Sequence, residues 1–159
     1  MKKPLYRLAL FDLDHTLLPL DSDHGWGEFT MQIGWCDRAE FGRRNDAFFQ
    51  DYLAGRLDIH DYVRFATEAV VQRGPQAAAA AHQRFMDEII RPAIRPAAIE
   101  LVRRHQQAGD VVVITSATNE FVTRPIAQAF GVQVFDAVPM RMVRLARRER
   151  AQLLVEAPG

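Results

Sequence analysis

Apolar positions along the chain follow two different periods, and the alternation between them sets out the elements. Three short runs carry strand character. Leu5 to Phe11 is mostly apolar, Val111 to Thr115 is β-branched as in strands buried on both faces, and Val132 to Phe135 is a third, shorter run. Between the first two, the pattern is helical throughout. Trp26, Phe29, Ile33 and Trp35 mark a short amphipathic helix entered through a turn-rich loop of Pro19, Asp21, Ser22, Asp23 and Gly25. Asp37 with Glu40 forms a capping-box pattern ahead of a face made by Phe41, Phe48, Phe49 and Tyr52, which ends near Gly55. Asp58 caps a helix in which Ile59, Tyr62, Val63, Ala66, Ala69 and Val70 keep a 3.6-residue period up to Gly74-Pro75. Ala77 to Ile90 is helical by propensity. Pro96 then opens a helix to Gln107 that Gly109 stops, and Phe121, Val122, Ile126, Ala127 and Phe130 define another, bent or restarted at Pro125 and closed by Gly131.

Strands that alternate with helices imply an α/β fold with a parallel sheet and right-handed crossovers, in which ligands bind at the carboxyl ends of the strands. The span from Leu17 to Asp110 far exceeds one crossover helix, so its excess is expected to form an inserted all-helical lobe. The predicted organisation is a core of residues 1–18 and 92–138, a helical cap of residues 19–91, and a basic tail of residues 139–159. With 159 residues the chain can bury about 68–70% of its unfolded surface.

Charge changes this picture little. The 20 basic and 20 acidic side chains cancel, which gives no electrostatic pointer to nucleic acid or a membrane surface. The balance is local, however: five Arg fall between Arg141 and Arg150, and the only lysines are Lys2 and Lys3. A lone Cys36 excludes an internal disulfide and suits a reducing compartment, and there is neither an apolar leader nor a run of membrane-spanning length. A cytoplasmic location is expected.

The chemistry concentrates at Asp12-Leu13-Asp14-His15-Thr16, where the first strand ends. In extended backbone, residues two apart project to the same side, so the two carboxylates are expected to share a small volume. At about 4 Å two such charges repel by roughly 4 kcal/mol at an effective dielectric of 20, which calls for a cation, a proton or separation. This motif, the helical insertion, and the second strand ending in Ser116-Ala117-Thr118-Asn119-Glu120-Phe121-Val122 resemble the haloacid dehalogenase superfamily, in particular its phosphoserine-phosphatase-like branch with a helical cap. The resemblance spans roughly residues 5 to 135 and implies a Rossmann-like core. It further implies Asp12 as the nucleophile that forms an aspartyl-phosphate, Asp14 as the acid/base, and Ser116 as a hydrogen-bond donor to the phosphoryl group. Mg²⁺ would be held by the Asp12 carboxylate and the Asp14 backbone carbonyl. The implied substrate is a small phosphorylated metabolite, with no nucleic-acid or membrane partner; the oligomeric state stays open.

Other polar residues carry paired readings. Asp21 stands where related phosphatases place an acidic group for the substrate's amine, and equally where a helix cap would be. Thr115 takes the place of Ser116 if the strand ends one residue earlier, and Asn119 is either a substrate contact or an N-cap. His60, His82 and His105 lie on predicted helices without partners at ligand spacing, and Cys36 reads as buried filler. The superfamily pattern also contains a downstream Lys and an acidic Gly-Asp-x-x-x-Asp pair. This chain has no Lys after Lys3, and its carboxylates beyond Ser116 are Glu120, Asp136, Glu149 and Glu156, with Arg144, Arg147 and Arg148 as the available cations. Residues 140–150 therefore read as a partner-binding basic helix, a solvated helix, or a sequence outside the family's register. The functional expectations are a Mg²⁺-dependent phosphatase, a truncated and impaired relative of one, or a binding protein using its cap or Arg-rich tail.

Overall fold

The computed structural model describes residues 7–138, 140–144 and 151–155. The first two apolar runs pair side by side: β1 (Leu8–Asp12) lies parallel to β2 (Val111–Asn119), with Leu8 opposite Val111 and Asp12 opposite Thr115. On the far side of β2 runs β3 (Val134–Val138), also parallel, with Val113 opposite Val134 and Thr115 opposite Asp136. The sheet order is β1-β2-β3, and the chain is the expected α/β fold with a parallel sheet. The predicted residues Leu5 and Tyr6 of the first strand lie outside the described residues. The third strand begins at Val134 rather than Val132, because Val132 is still packed in the core beneath the end of the preceding helix.

All of the intervening structure up to Ile90 is helical, as its periodicity predicts. The helices are α1 (Ser22–Gln32), α2 (Arg38–Leu53), α3 (Ile59–Arg73) and α4 (Pro75–Phe85). Asp37 caps α2 by accepting from the Glu40 N–H at 2.8 Å, and Asp58 caps α3 by accepting from the N–H groups of His60 and Asp61 at 2.8 and 3.1 Å. The predicted aromatic face of α2 is only half used. Phe41 and Phe48 pack on Phe65 of α3, with ring centroids 4.8 and 5.2 Å away, whereas Phe49 and Tyr52 remain 54% and 64% exposed. Helix α4 does not run unbroken to Ile90. Its last part widens into a π-type turn at Met86–Ile90, followed by the short α5 (Arg91–Ala93). Pro92 has no N–H to donate to the i−4 carbonyl, so regular α-helical bonding cannot continue through it.

Helix α6 (Pro96–Gln107) follows with proline in its first turn, and α7 (Glu120–Ala129) runs continuously through Pro125. Sheet and helices share one apolar core that includes Leu13, Leu18, Trp26, Phe29, Phe85, Ile90, Val102, Ile114, Val122 and Ile126. Trp26 sits at its centre, with its ring 5.3–5.8 Å from those of Phe29, His82, Phe85 and Phe121. Those contacts join α1, α4 and α7.

Past β3 the helical readings of residues 140–150 do not hold where the chain is described. Met140–Arg144 forms β4 and Ala151–Val155 forms β5, paired antiparallel with Met140 opposite Val155. Alternating apolar residues in Met140, Met142 and in Leu153, Val155 suit a ladder of period two. Residues 145–150, with Arg147, Arg148 and Glu149, lie outside the described residues, as does Glu156.

Candidate active site

Two polar strand ends meet at the carboxyl edge of the sheet. After Asp12 the chain leaves β1 through a wide turn, closed by the Leu18 N–H donating to the Leu13 carbonyl at 3.0 Å and the His15 N–H to the Leu20 carbonyl at 3.2 Å. His15 occupies the left-handed region at φ 56°, an uncommon conformation for a residue with a Cβ. The hydrophobic pattern explains the shape: Leu13, Leu17 and Leu18 are buried, which leaves the acidic residues at the rim.

Each carboxylate has its own partners. Asp12 Oδ2 accepts from the Thr16 hydroxyl at 3.0 Å. Asp14 Oδ1 accepts from the Ser22 N–H at 2.7 Å, while its Oδ2 accepts from the hydroxyls of Ser116 and Thr118, both at 3.3 Å. Ser22 is the first residue of α1, so Asp14 places negative charge at a helix N-terminus. Ser116 Oγ is itself fixed by the Thr118 N–H at 3.0 Å. Strand β2 does not end at Ser116, as the sequence suggests; it continues to Asn119 through a register shift between Thr115 and Asn119. This extension brings Ser116 and Thr118, two residues apart, to the same oxygen of Asp14.

A second cluster lies beside the first. Asp23 Oδ2 accepts from the Tyr62 hydroxyl of α3 at 2.7 Å, and its Oδ1 from the Asn119 amide at 3.5 Å. Burial pushes the Asp23 carboxyl above the ordinary carboxylate range. The Tyr62 hydrogen bond opposes that rise, and the charges of Asp21 and Asp14 add to it. Burial, followed by the charge of Asp23, raises Tyr62 as well. Among the described residues, no ion pair reaches Asp12, Asp14, Asp21 or Asp23.

The remaining sequence-predicted residues fall into plain positions. Asp21 is exposed and caps α1, accepting from the His24 N–H at 2.9 Å. Asn119 caps α7 through its Oδ1, which accepts from the Val122 N–H at 3.2 Å, while its amide turns to Asp23. Thr115 pairs in the ladder with Asp12 and Asp136. His60 is exposed, His82 is buried against the Val122 carbonyl, and His105 pairs with Asp110 at 2.8 Å. Cys36 lies half-buried with its Sγ 3.8 Å from the Thr30 hydroxyl. Sequence reasoning missed Thr118, the Ser22 amide, and the link between Asp23 and Tyr62. Only the i, i+2 spacing of Ser116 and Thr118 on a strand could have signalled the first.

Among the described residues, no group of three or more His, Cys, Asp or Glu side chains could hold a metal ion. No helix among them is long and apolar enough to cross a membrane.

Comparison with known proteins supplies an independent line. Residues 9–148 match the model of the haloacid dehalogenase-like hydrolases. The chain is 40% identical over 125 residues to a histidinol-phosphatase of Neisseria meningitidis serogroup C (strain 8013), an alignment covering 79% of this chain and 56% of the relative. It thus spans little more than half of that relative's length. A crystal structure of a protein of unknown function from Bordetella pertussis Tohama I superposes with a TM-score of 0.80 at 43% identity, over 94% of this chain and 67% of that one. A phosphoserine phosphohydrolase-like protein from Francisella tularensis subsp. tularensis SCHU S4 shares the fold at 13% identity, with a TM-score of 0.57 over 94% of this chain and 64% of that one.

Proposed function

Because the chain belongs to the haloacid dehalogenase-like hydrolase family, we propose that its site is that of a phosphomonoester hydrolase acting on a small phosphorylated metabolite. The observation that carries this reading is Asp12 at the end of β1, beside an Asp14 whose carboxylate is held by one backbone N–H and two hydroxyls. In the proposed reaction, an Asp12 oxygen attacks phosphorus and the ester P–O bond breaks. The leaving oxygen takes a proton from Asp14. A water then gives its proton to Asp14 and attacks the aspartyl-phosphate, which releases inorganic phosphate and restores Asp12. The Thr118 hydroxyl and the Ser22 N–H orient the Asp14 carboxylate, and the Ser116 hydroxyl, whose single proton points to Asp14 in the free site, is proposed to turn to the phosphoryl oxygens as they gain charge. Asp21, Thr115 and Asn119 are proposed substrate contacts, on the loop and strand that flank Asp14.

The donor set suits a hard cation in kind, since it consists of oxygens: the Asp12 carboxylate and the Asp14 backbone carbonyl. Mg²⁺ there would offset the charge that otherwise keeps a phosphate from a carboxylate nucleophile. The residues proposed to build the core are 1–18 and 92–138, with 19–91 as the cap over the site. The lone Cys36 supports a reducing, cytoplasmic setting.

One finding favours a second reading, a site that retains phosphate but turns it over poorly. The described residues bring no third metal-binding side chain and no ion-pairing cation to Asp12 and Asp14. Loss of one such electrostatic group typically costs about 10²- to 10³-fold in rate. Phosphate release from histidinol phosphate with and without Mg²⁺, in the wild-type chain and in Asp12→Asn, separates the two. Mg²⁺-dependent release that Asp12→Asn abolishes supports the hydrolase; phosphate binding without release supports the impaired site; full activity of Asp12→Asn overturns both.

A further inference from the structure

Two surface features have no part in the proposed hydrolysis, and each lacks what the other offers. The first is a stripe on α2. Phe41 and Phe48 close against Phe65 of α3, but Phe49, Tyr52 and Leu53 are 54%, 64% and 63% exposed. Their i, i+3, i+4 spacing puts them on one helical face. Single exposed apolar residues are ordinary, whereas three large ones clustered on one face mark an interaction site. Asp46 lies one turn before Phe49 on the same face, is exposed, and forms no ion pair among the described residues.

The second feature is a groove of about 890 Å³ between α4 and α7. Ala79 and Gln83 of α4, with Met86 of the following π-type turn, line one wall at i, i+4 and i+7. Phe121, Pro125 and Ala129 of α7 line the other at i, i+4 and i+8. Each wall is therefore one helical stripe, and the slot between two such stripes is elongated in the way that receives a third helix. At 1.5 Å per residue the α7 wall from Glu120 to Ala129 is about 14 Å long, and the stripe from Asp46 to Leu53 is about 10 Å long, so the stripe fits within the slot.

Charge agrees with this fit. Arg91 and Arg124 lie on the groove, paired with Asp87 and Glu120 four residues earlier in each case, and Glu120 is the one acidic residue among those lining it. Asp46 thus has basic partners available at the groove margin. The 20 basic and 20 acidic side chains of the whole chain cancel, so no long-range repulsion keeps two copies apart. We propose that the groove between α4 and α7 receives the stripe of Phe49, Tyr52 and Leu53 on a second copy of this chain, helix into groove. None of these three anchors lines the groove of its own chain, so the contact runs between copies, head to tail. Three anchors cover only part of the roughly 1,600 Å² of a standard interface, which makes the association weak and dependent on concentration.

Sedimentation velocity of the full chain tests this, with Leu10→Lys in every sample so that the exposed strand β1 contributes nothing. The sedimentation coefficient should rise between about 5 and 300 µM, the range of a weak interface. Ala79→Trp, at an exposed position on the groove wall, fills the slot, and Phe49→Ser combined with Leu53→Ser removes two exposed anchors. Each change should keep the chain monomeric over that range. An equimolar mixture of the two variants should regain a heavier species limited to two chains, because intact anchors then meet an intact groove once. Gln83→Trp, also exposed on that wall, serves if Ala79→Trp does not fold. A parent chain that stays monomeric overturns the inference and leaves the groove to a different ligand. Association that survives either variant, or a mixture that stays monomeric, overturns it as well.

Discussion

Asp14 is the residue on which the site turns, since its two oxygens draw together three parts of the chain: the loop after β1, the start of α1 and the end of β2. Hydrogen bonds to a charged acceptor contribute about 1.5–3 kcal/mol at good geometry, and those at 3.3 Å fall at the low end. Thr118→Val keeps the shape and removes one donor, so it should lower stability by about 1 kcal/mol in a urea titration; an unchanged midpoint would show that the Thr118 hydroxyl holds nothing. The position of Asp12 at the end of β1, with Asp14 two residues on, was legible in the sequence because strand periodicity is a local signal, whereas Ser116 was reached through the family resemblance and its strand runs on to Asn119. Thr118 and Asp14 lie 104 positions apart, and Tyr62 and Asp23 lie 39 apart, so only the fold brings them together.

At the level of elements, caps were the most readable feature. Asp37 and Asp58 both accept from the backbone of the helices they precede, because this chemistry is complete within four residues. Asp58→Ala should cost about 1 kcal/mol of stability, measured by thermal or urea unfolding. The extent of α4 was less readable, as was the strand at Met140–Arg144, where a run rich in Arg also fits a helix. Packing around His82 makes a pH prediction. Burial lowers its pKa from the ordinary 6.5 while the Val122 carbonyl opposes that shift, so the folded chain binds fewer protons at this site than the unfolded one. Stability is then full above pH 6.5 and declines as pH falls from there toward the lowered native value. His82→Phe, which keeps a ring between Trp26 and Phe121, should flatten this acid-side decline in unfolding midpoints measured from pH 7 to 5. An unaltered slope would exclude His82 as its source.

Across the whole molecule, the parallel sheet and its helices followed from the order of the apolar runs, and the site's place followed from the rule that such sheets bind ligands at their carboxyl edge. What the order could not convey is how β1 would be covered. Leu8 and Leu10 are 60% and 61% exposed, and β1 pairs only with β2 among the described residues. An edge strand with exposed apolar side chains favours association between chains. Leu10→Lys should therefore shift sedimentation-velocity profiles at high concentration toward monomer, with stability changed by no more than about 0.5 kcal/mol; profiles identical to wild type would show that this face does not drive association.

If Asp12 is the nucleophile, it carries the phosphoryl group between the two steps, and that intermediate can be trapped. The chain is incubated with Mg²⁺ and a phosphomonoester labelled with ³²P, quenched in acid, and mapped by peptide. Hydroxylamine-sensitive label is expected on Asp12 and is expected to disappear in Asp12→Asn; label on a different residue, or phosphate release that persists in Asp12→Asn, would show that another group is the nucleophile.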